Sequence, residues 1–413
     1  MPVPPVRSMV CVALNCSIGR DREKVEGMKR KIAGILLAGL LAFSGTGCTQ
    51  NGETVDNSSV TSSSQSTNVS TSSGSEEEAT PEPTATEGAE EESIAVSIPQ
   101  KDGMQADYMS VDGISLEAGS CLAVVAKDLS TGYWKAVKTG AQQAIDELNA
   151  ALNYSGDDKI TMTFEGSSDP TDAEDQSNTI DMVISENPAA LCLGIIDMQT
   201  CKTQLEMAAE NGIPVIIVDS GVDSDLYDAF CGIDNRAAGA EAARKLCEAI
   251  GDSGEIAIVS HQSSTQTSIE RTEGFSEEIA QNHPNVTIVQ TCYSDVEEDL
   301  ETSIDNLFQQ YPQLQGIFCT NQVVSDMALG VLEKQENPVK MVGFDYSEAQ
   351  QEAIESGLEY GTISQNPYSL GYAMIVAAAR AAGEMPVDSF IDAGYQWMDQ
   401  SNIAAEGMEL YRY

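Results

Sequence analysis

Histidine and the common catalytic motifs are scarce in this sequence. Only two histidines occur among 413 residues, and neither lies in an H-E-x-x-H zinc motif or beside a nucleophile elbow. A P-loop and a G-x-G-x-x-G turn are also missing. Cysteine catalysis would require a positioned base, and the sequence offers none. We therefore expect no enzymatic activity, no cofactor and no bound metal.

Basic residues are also in short supply. The chain carries 21 Lys and Arg against 65 Asp and Glu, a formal net charge of −44. Because phosphate contacts dominate nucleic-acid affinity, this charge argues against a nucleic-acid partner, and it opposes charge-driven adhesion to anionic lipid. The acidic run at residues 219–228 lacks the glycine and the spacing of an EF-hand calcium loop, so we interpret it as a solvated loop.

The apolar run at residues 32–43 is shorter than the ~20 residues that a membrane span needs. Basic residues precede it and small residues follow it, which predicts a secretory signal peptide at residues 28–47. The stretch Gly45-Thr-Gly-Cys48 resembles a bacterial lipobox. That resemblance implies a lipidated Cys48 and an anchor on the extracytoplasmic face of the cell membrane. The alternative is an ordinary cleaved signal with an incidental cysteine.

Three further segments differ in composition. Residues 1–27 have mixed charges and no periodicity, and we interpret them as a non-native leader. Residues 48–93 are rich in Ser, Thr, Glu and Pro and cannot bury enough apolar area to fold, which predicts a disordered tether. Residues 94–118 are transitional and receive no assignment. From about residue 119 the chain is globular in composition, and its length favours two lobes over a single core.

The globular part contains seven cysteines, an odd number that cannot be wholly paired. They are Cys121, Cys192, Cys201, Cys231, Cys247, Cys292 and Cys319. None forms a C-x-x-C pair, and several lie in apolar segments where free cysteine behaves as a small hydrophobic residue. Free buried thiols are therefore the favoured interpretation, with one disulfide as the alternative.

Strand and helix patterns alternate throughout this part. Short apolar runs such as residues 122–126, 190–195 and 213–218 are typical of strands buried on both faces, and apolar residues at helical spacing follow them. Asp169 and Pro170 supply an N-cap and a first-turn proline, which predicts a helix start there. Two rounds of this alternation predict an α/β protein with two doubly wound parallel-sheet lobes.

The residues that follow the predicted strands are the candidates for a binding site, because ligands of such sheets bind outside the carboxyl ends of the strands. They combine an aromatic pair with carboxylate, amide and guanidinium groups: Tyr133, Trp134, Asp219, Arg271, Asn321, Asp345 and Gln365. Polar groups of these kinds exchange hydrogen bonds with hydroxyls, and aromatic faces cover the C–H faces of a small polar ring. The set predicts a cleft that binds a neutral, sugar-like ligand.

Four of the candidates also have a purely structural interpretation. Asp219 could form a turn, and Asp345 could cap the following helix. Trp134 could belong to the core, and Arg271 could form a surface ion pair of little energetic value. Polar residues after so many parallel strands nevertheless favour a cleft over four separate coincidences.

Several short motifs, in their order and spacing, resemble the type I periplasmic binding proteins, especially the ribose-like sugar-binding branch. The motifs are Lys138-Thr-Gly-Ala-Gln142, Asn211-Gly-Ile-Pro-Val-Ile216, Gly232-Ile-Asp-Asn235, Glu270-Arg-Thr-Glu-Gly-Phe275, Met327-Ala-Leu-Gly330, Val342-Gly-Phe-Asp345 and Ile363-Ser-Gln-Asn-Pro367. The resemblance implies two lobes joined by a three-stranded hinge with the ligand cleft between them. It implies an N-terminal lobe of residues 119–233 plus 367–393 and a C-terminal lobe of residues 234–364 plus 394–413.

The resemblance also implies roles and partners. Tyr133 and Trp134 would stack on a monosaccharide, and the other five candidates would bind its hydroxyls. A lipid-anchored monomer would deliver the ligand to the permease and ATPase of an ABC importer. A sensory binding protein that presents a sugar, nucleoside or autoinducer-like ligand to a membrane receptor or kinase is the alternative.

The sequence departs from the ribose binders at three places. Ser130-Thr131 and Tyr133-Trp134 stand where ribose binders have Asn and Phe, and Asp219-Ser220 stands where they have Asp-Arg. The segment between Asn321 and Met327 is about three residues longer than usual, so that Asn321 or Asp326 could be the contact. We therefore expect the hydroxyl pattern of the ligand to differ from that of ribose.

Overall fold

The computed structural model describes residues 98–99, 104–167, 169–405 and 407–413. The predicted leader, signal peptide, lipidated Cys48 and tether lie outside these residues. Among the helices of the described ranges, none combines the length and the apolar character that spanning a bilayer requires.

The first sheet has six strands, and every neighbouring pair in it is parallel. Its strands are β1 (Cys121–Ala126), β2 (Thr161–Gly166), β3 (Ala190–Leu193), β4 (Val215–Val218), β5 (Ala229–Gly232) and β11 (Phe390–Asp392), in the spatial order β11-β5-β4-β3-β1-β2. The helices of this lobe are α1 (Gly132–Leu152), α2 (Ala173–Ser185), α3 (Lys202–Glu210) and α9 (Pro367–Ala382). The strands β3 and β4 are buried along their whole length because helices cover both faces of the sheet.

The second sheet repeats this arrangement. Its strands are β6 (Gly254–Ser260), β7 (Val286–Tyr293), β8 (Leu314–Cys319), β9 (Lys340–Phe344), β10 (Gly361–Gln365) and β12 (Tyr395–Met398), in the order β12-β10-β9-β8-β6-β7. All pairs are parallel except β10 with β12, which is antiparallel. The helices of this lobe are α4 (Asn235–Ile250), α5 (Gln266–Asn282), α6 (Leu300–Gln310), α7 (Gln322–Leu332) and α8 (Glu348–Ser356). Single 3₁₀ turns occur at Gly156–Asp158 and Met408–Tyr411.

The chain passes between the two sheets three times: from β5 to α4, from β10 to α9 and from β11 to β12. The predicted fold class, two parallel-sheet α/β lobes joined by three connections, is therefore confirmed. The carboxyl ends of the parallel strands mark the edge of each sheet at which a ligand site is expected.

One predicted helix start is wrong. The helix α2 is capped by Asp172, whose side chain accepts the N–H of Asp175, and not by Asp169. The carboxylate of Asp169 instead accepts the N–H and the hydroxyl of Thr171. The side chain of Asp169 therefore stabilises a local turn before the helix begins. An Asp side chain can accept hydrogen bonds in a turn as readily as at a helix cap.

Residues 104–118, part of the segment 94–118 that received no assignment from the sequence, pack onto the first lobe. Tyr108 is fully buried, and its hydroxyl donates to Asp388 Oδ2 at 2.9 Å while it accepts the N–H of Asp388 at 2.6 Å. Val111, Ile114 and Leu116 are buried in the same core cluster as β1. The segment is therefore part of the globular domain.

Two helix pairs pack with their backbones in close approach. A Cβ on Gly140 of α1 would lie 1.9 Å from Tyr368 O, and one on Gly371 of α9 would lie 1.9 Å from Val137 O. The pair α4 and α5 repeats this design, since a Cβ on Gly274 would lie 2.0 Å from Arg236 O. No side chain larger than hydrogen fits at these contacts unless the helices separate.

All seven cysteines of the globular part are free thiols. Six are buried, and Cys121 is half-buried. Burial raises the pKa of Cys192 to about 12, so that this thiol stays protonated and unreactive at neutral pH. The favoured interpretation of free buried thiols agrees with the structure.

Candidate ligand site

All seven predicted site residues line one cavity of about 180 Å³ at the carboxyl ends of the two sheets. Tyr133, Trp134 and Asp219 come from the first lobe, and Arg271, Asn321, Asp345 and Gln365 come from the second. The remaining lining residues are Lys127, Asp128, Thr131, Pro170, Thr171, His261, Gln262, Thr267, Ser294, Gln322, Val323 and Val324. The cavity thus draws polar groups from both lobes.

The two aspartates occupy equivalent positions in the two lobes. Asp219 follows β4 with φ +63°, and Asp345 follows β9 with φ +70°. The N–H of Asp219 donates to Cys231 O at 2.9 Å, and that of Asp345 donates to Ile363 O at 2.7 Å, so that each backbone is held by the neighbouring strand. Asp is one of the few side-chain-bearing residues that enters this left-handed region readily. The turn-forming role considered for Asp219 is real, and it directs the carboxylate into the cavity.

The carboxylate of Asp219 binds two side chains of its own lobe. Lys127 Nζ lies 3.3 Å from Asp219 Oδ2, and the Tyr133 hydroxyl donates to Oδ1 at 2.8 Å. Burial, followed by the charge of Asp219, raises the pKa of Tyr133 well above its ordinary value. The phenol therefore remains a protonated hydrogen-bond donor throughout the physiological pH range.

The carboxylate of Asp345 accepts three hydrogen bonds. Gln365 Nε2 donates at 2.9 Å and the Tyr413 hydroxyl at 2.7 Å, both to Oδ1, and the N–H of Gln322 donates to Oδ2 at 3.0 Å. Ser347, and not Asp345, caps α8 through a capping box with Gln350. The helix-cap interpretation of Asp345 is therefore wrong, and its carboxylate belongs to the cavity.

Arg271 lies on α5 with only 2% of its surface exposed. Its Nε donates to Asn235 Oδ1 at 2.9 Å and its Nη1 to Thr320 O at 2.8 Å, and the guanidinium carbon lies 3.6 Å from the centre of the Phe344 ring. The surface ion-pair interpretation is wrong. Guanidinium has five N–H donors, so these two bonds orient the group and leave further donors for a ligand.

His261 lines the cavity and was not among the sequence candidates. Its Nδ1 lies 2.8 Å from Thr320 Oγ1 and its Nε2 lies 3.0 Å from Thr267 Oγ1. Burial, with the nearby charges of Lys127 and Arg271, lowers the pKa of His261 well below 6.5. The ring is therefore neutral and adds a hydrogen-bonding group but no charge.

The structure decides between the two candidates on the segment after β8. Asn321 lines the cavity, and its Oδ1 also accepts the N–H of Val324 at 3.1 Å as the N-cap of α7. Asp326 does not line the cavity, and its carboxylate accepts the hydroxyl of Ser347 at 2.7 Å. Asn321 is thus the residue that faces the cavity.

Three aromatic rings meet at one side of the cavity. The rings of Tyr133 and Trp134 are 5.6 Å apart and nearly perpendicular, and Tyr413 packs edge-on against Tyr133 at 5.4 Å. A Cβ on Gly194 would lie 2.6 Å from the Trp134 ring, so a glycine is needed for the indole to reach this depth. Trp134 is therefore both a core residue, as the alternative held, and part of the cavity wall.

The two lobes touch at the start of α5. Thr265 Oγ1 donates to Ile196 O at 2.7 Å, and the N–H of Met198 donates to Ser264 O at 3.2 Å. Gln266 Oε1 accepts the N–H of Gly221. Ile196, Met198 and Gly221 belong to the first lobe, so these bonds hold the lobes together across the cleft and the structure represents a closed arrangement.

Sequence reasoning missed residues of two kinds. Lys127 and His261 follow β1 and β6 directly, so the rule that found Asp219 and Asp345 would have found them as well. Tyr413 has no such signal, because it follows no strand and reaches Asp345 only through the fold.

Residues 122–385 match the family model of the periplasmic binding protein domain. The ribose import binding protein of Haemophilus influenzae is 25% identical over 280 residues, which cover 66% of this chain and 91% of that protein. The xylitol-binding protein of Mycolicibacterium smegmatis is 25% identical over 220 residues, which cover 52% of this chain and 62% of that protein. These relatives are binding proteins and not enzymes, in agreement with the expectation from the sequence.

A solved structure of an ABC transporter solute-binding protein from Agrobacterium vitis, with bound D-fucose, is also similar to this chain. It is 25% identical with a TM-score of 0.65, and the match covers 71% of this chain and all of that one. The resemblance to the ribose-like branch, stated from short motifs, thus extends over the two-lobed part of the chain.

Proposed function

Since the chain belongs to the periplasmic binding protein family, we propose that it captures a small sugar-like ligand between its lobes and delivers it to the permease of an ABC transporter. The observation that carries this proposal is the cavity that Asp219 and Asp345 both line, from equivalent positions of the two lobes. Relatives of known ligand bind ribose, xylitol or D-fucose, which supports a monosaccharide or polyol as the ligand class.

The chemistry of the cavity suits neutral hydroxyls. Carboxylates accept hydrogen bonds from hydroxyls, Arg271 donates them, and Asn321 and Gln365 do both. Tyr133 and Trp134 offer apolar ring surface to the C–H groups of the ligand. Because Ser220 stands where the ribose binders have Arg, we expect a hydroxyl pattern different from that of ribose.

Lobe closure would couple capture to delivery. The ligand contacts groups of both lobes only in the closed form, so its binding free energy favours closure. The bonds that Thr265 and Gln266 make to the first lobe would add to this preference. The permease would then distinguish the loaded from the empty protein by the relative position of the lobes.

The site of action follows from the sequence outside the described residues. We propose that Cys48 carries a lipid anchor on the extracytoplasmic face of the cell membrane and that residues 48–93 form the tether to the globular domain. A Cys48→Ala variant expressed in its native host should appear in the medium instead of the membrane fraction. Retention in the membrane of variant chains whose signal peptide has been removed would contradict a lipid anchor.

The ligand class is tested by measuring the Tm of the full chain in the presence of pentoses, hexoses, polyols and nucleosides. A ligand at 100 times its dissociation constant adds about 2.7 kcal/mol to the free energy of unfolding, which is a readily visible shift in Tm. Stabilisation by a sugar or polyol, absent in an Arg271→Met variant, is the expected result. Stabilisation by nucleosides alone would overturn the ligand class, and no stabilisation across the panel would overturn the proposed function.

A further inference from the structure

Three metal-ligating side chains of different types meet at the other end of the second lobe. The ligand atoms of Cys247, Asp252 and His283 all lie within 4.8 Å of one another. Asp252 and His283 precede the first residues of β6 and β7, so the cluster lies at the amino ends of the strands. The ligand cavity lies at the carboxyl ends, and the two sites share no residue.

The imidazole of His283 has one ring nitrogen held and the other unsatisfied. Its Nδ1 lies 2.5 Å from Asp252 Oδ1, while its Nε2 is buried and has no hydrogen-bond partner. The nearest acidic atom to Nε2 is Glu278 Oε1 at 3.6 Å, beyond hydrogen-bond distance. If Nδ1 binds a metal ion placed between it and Asp252, Nε2 carries the ring proton and lies beside Glu278, and a carboxylate beside the second nitrogen is the usual arrangement at metal-bound histidines.

The backbone holds the cluster in place. Cys247 lies in the last turn of α4, and the N–H of Asp252 donates to Cys247 O at 2.8 Å, which folds the turn back over the cysteine. His283 is the C-cap of α5, and its carbonyl accepts the N–H of Val286 at 3.0 Å. Since α4 and α5 are locked together by their glycine contacts, the two ends cannot move far apart.

We propose that Cys247 Sγ, the Asp252 carboxylate and His283 Nδ1 bind a zinc ion, with water completing the coordination. Sulfur, imidazole nitrogen and carboxylate oxygen form a ligand set that Zn²⁺ accepts in tetrahedral geometry. Zinc–ligand bonds of about 2.0–2.3 Å place neighbouring ligand atoms roughly 3.3–3.8 Å apart. This spacing is closer than the 4.8 Å limit of the cluster and wider than the 2.5 Å between His283 Nδ1 and Asp252 Oδ1. The side chain of Asp252 is 58% exposed and can make the adjustment.

The ion would join the ends of α4 and α5. These helices support Asn235 and Arg271 at the cavity edge of the same lobe. The zinc site therefore stabilises the packing of the two helices that carry Asn235 and Arg271, and it is not a part of the ligand site itself. Sequence inspection could not find it, because the three ligands have no recognised motif spacing.

The test uses the full chain, freed of metal with a chelator and titrated with Co²⁺, whose thiolate charge-transfer absorption reports a cysteine ligand. Zn²⁺ is then added to displace the cobalt. Cysteines 11, 16 and 48 lie outside the described residues and can also bind metal, so variants decide the assignment. One cobalt-thiolate site per chain at this cluster is expected. Cys247→Ser should abolish its absorption. His283→Gln should lower the Co²⁺ affinity by at least the ~10–100-fold that the loss of an outer-shell partner costs. The half-buried Cys121→Ser serves as the matched control and should bind as the wild type does.

Two results would overturn the proposal. One is the lack of cobalt–thiolate absorption in the wild type. The other is absorption that survives unchanged in His283→Gln. If Cys247→Ser does not fold, Asp252→Asn replaces it, because the side chain of Asp252 is exposed. Undiminished Zn²⁺ affinity in both single variants, Asp252→Asn and His283→Gln, would equally refute the site. Stabilisation of Tm by Zn²⁺ in the wild type but not in the variants would support it.

Discussion

The carboxylate of Asp345 offers the sharpest test of the ligand site. Replacement by Asn keeps the size of the side chain and is compatible with φ +70°. It removes the charge and one of the two carboxylate oxygens that accept from Gln365, Tyr413 and Gln322. An Ala replacement would leave all three donors unpaired, and its effect on folding would obscure its effect on binding.

The expected loss follows from the kind of bond. Hydrogen bonds to charged groups contribute about 1.5–3 kcal/mol, and each 1.4 kcal/mol corresponds to a factor of ten. Asp345→Asn should therefore bind the sugar or polyol found in the thermal screen roughly ten- to a hundredfold more weakly. Isothermal titration calorimetry measures this difference directly, and far-ultraviolet circular dichroism checks that the variant is folded.

Asp326→Asn provides the matched control. Asp326 is a neighbouring carboxylate that binds Ser347 and does not line the cavity. Its variant should keep the wild-type dissociation constant within a factor of about three, the range of most surface changes. Wild-type affinity in Asp345→Asn, or an equal loss in both variants, would refute the placement of the ligand at the strand ends.

Three further predictions concern closure, pH and packing. Gln266→Ala removes a bond between the lobes worth about 0.5–1.5 kcal/mol. Up to a tenfold loss of ligand affinity in calorimetry is expected, and unchanged affinity would show that this contact does not support closure. His261 is neutral in the fold because its pKa is lowered, whereas the unfolded chain protonates it below pH ~6.5. His261 therefore costs the fold up to about 1.4 kcal/mol per pH unit below that value. On going from pH 7.5 to 5.5 the urea midpoint of the wild type should fall more than that of His261→Gln; parallel profiles would contradict this. Gly274→Ala forces α4 and α5 apart and should lower the free energy of unfolding by about 1–3 kcal/mol. Gly330→Ala, whose nearest neighbouring atom is at 3.9 Å, should be neutral or stabilising, and equal effects would contradict the packing argument.

The sequence predicted which residues line the cavity because parallel topology determines where strand ends meet. Once the strands are placed, Asp219 and Asp345 must lie on the ligand edge of their sheets. The positions of the strands alone are enough to place these two side chains. The same rule covers Lys127 and His261, which directly follow β1 and β6.

The remainder depended on contacts between distant parts of the chain. Tyr108 bonds to Asp388, and Tyr413 bonds to Asp345, and neither pair has any local signal. Local signals also compete, since Asp169 matches a helix cap but forms a turn with Thr171. Sequence patterns indicate which conformations a segment can adopt, and tertiary contacts determine which of these conformations is stable in the fold.

The left-handed backbone at Asp219 and Asp345 restricts how the specificity of such a site can evolve. At φ +63° and +70°, Gly, Asn and Asp are the residues that adopt the backbone conformation most readily. A mutation to Glu or Gln, which would extend the polar group towards a smaller ligand, therefore carries a backbone penalty before any ligand is bound. New ligand preferences are instead expected to arise at Tyr133, Asn321 and Gln365, whose backbones carry no such constraint. The two aspartates then form a fixed frame within which the other positions diversify.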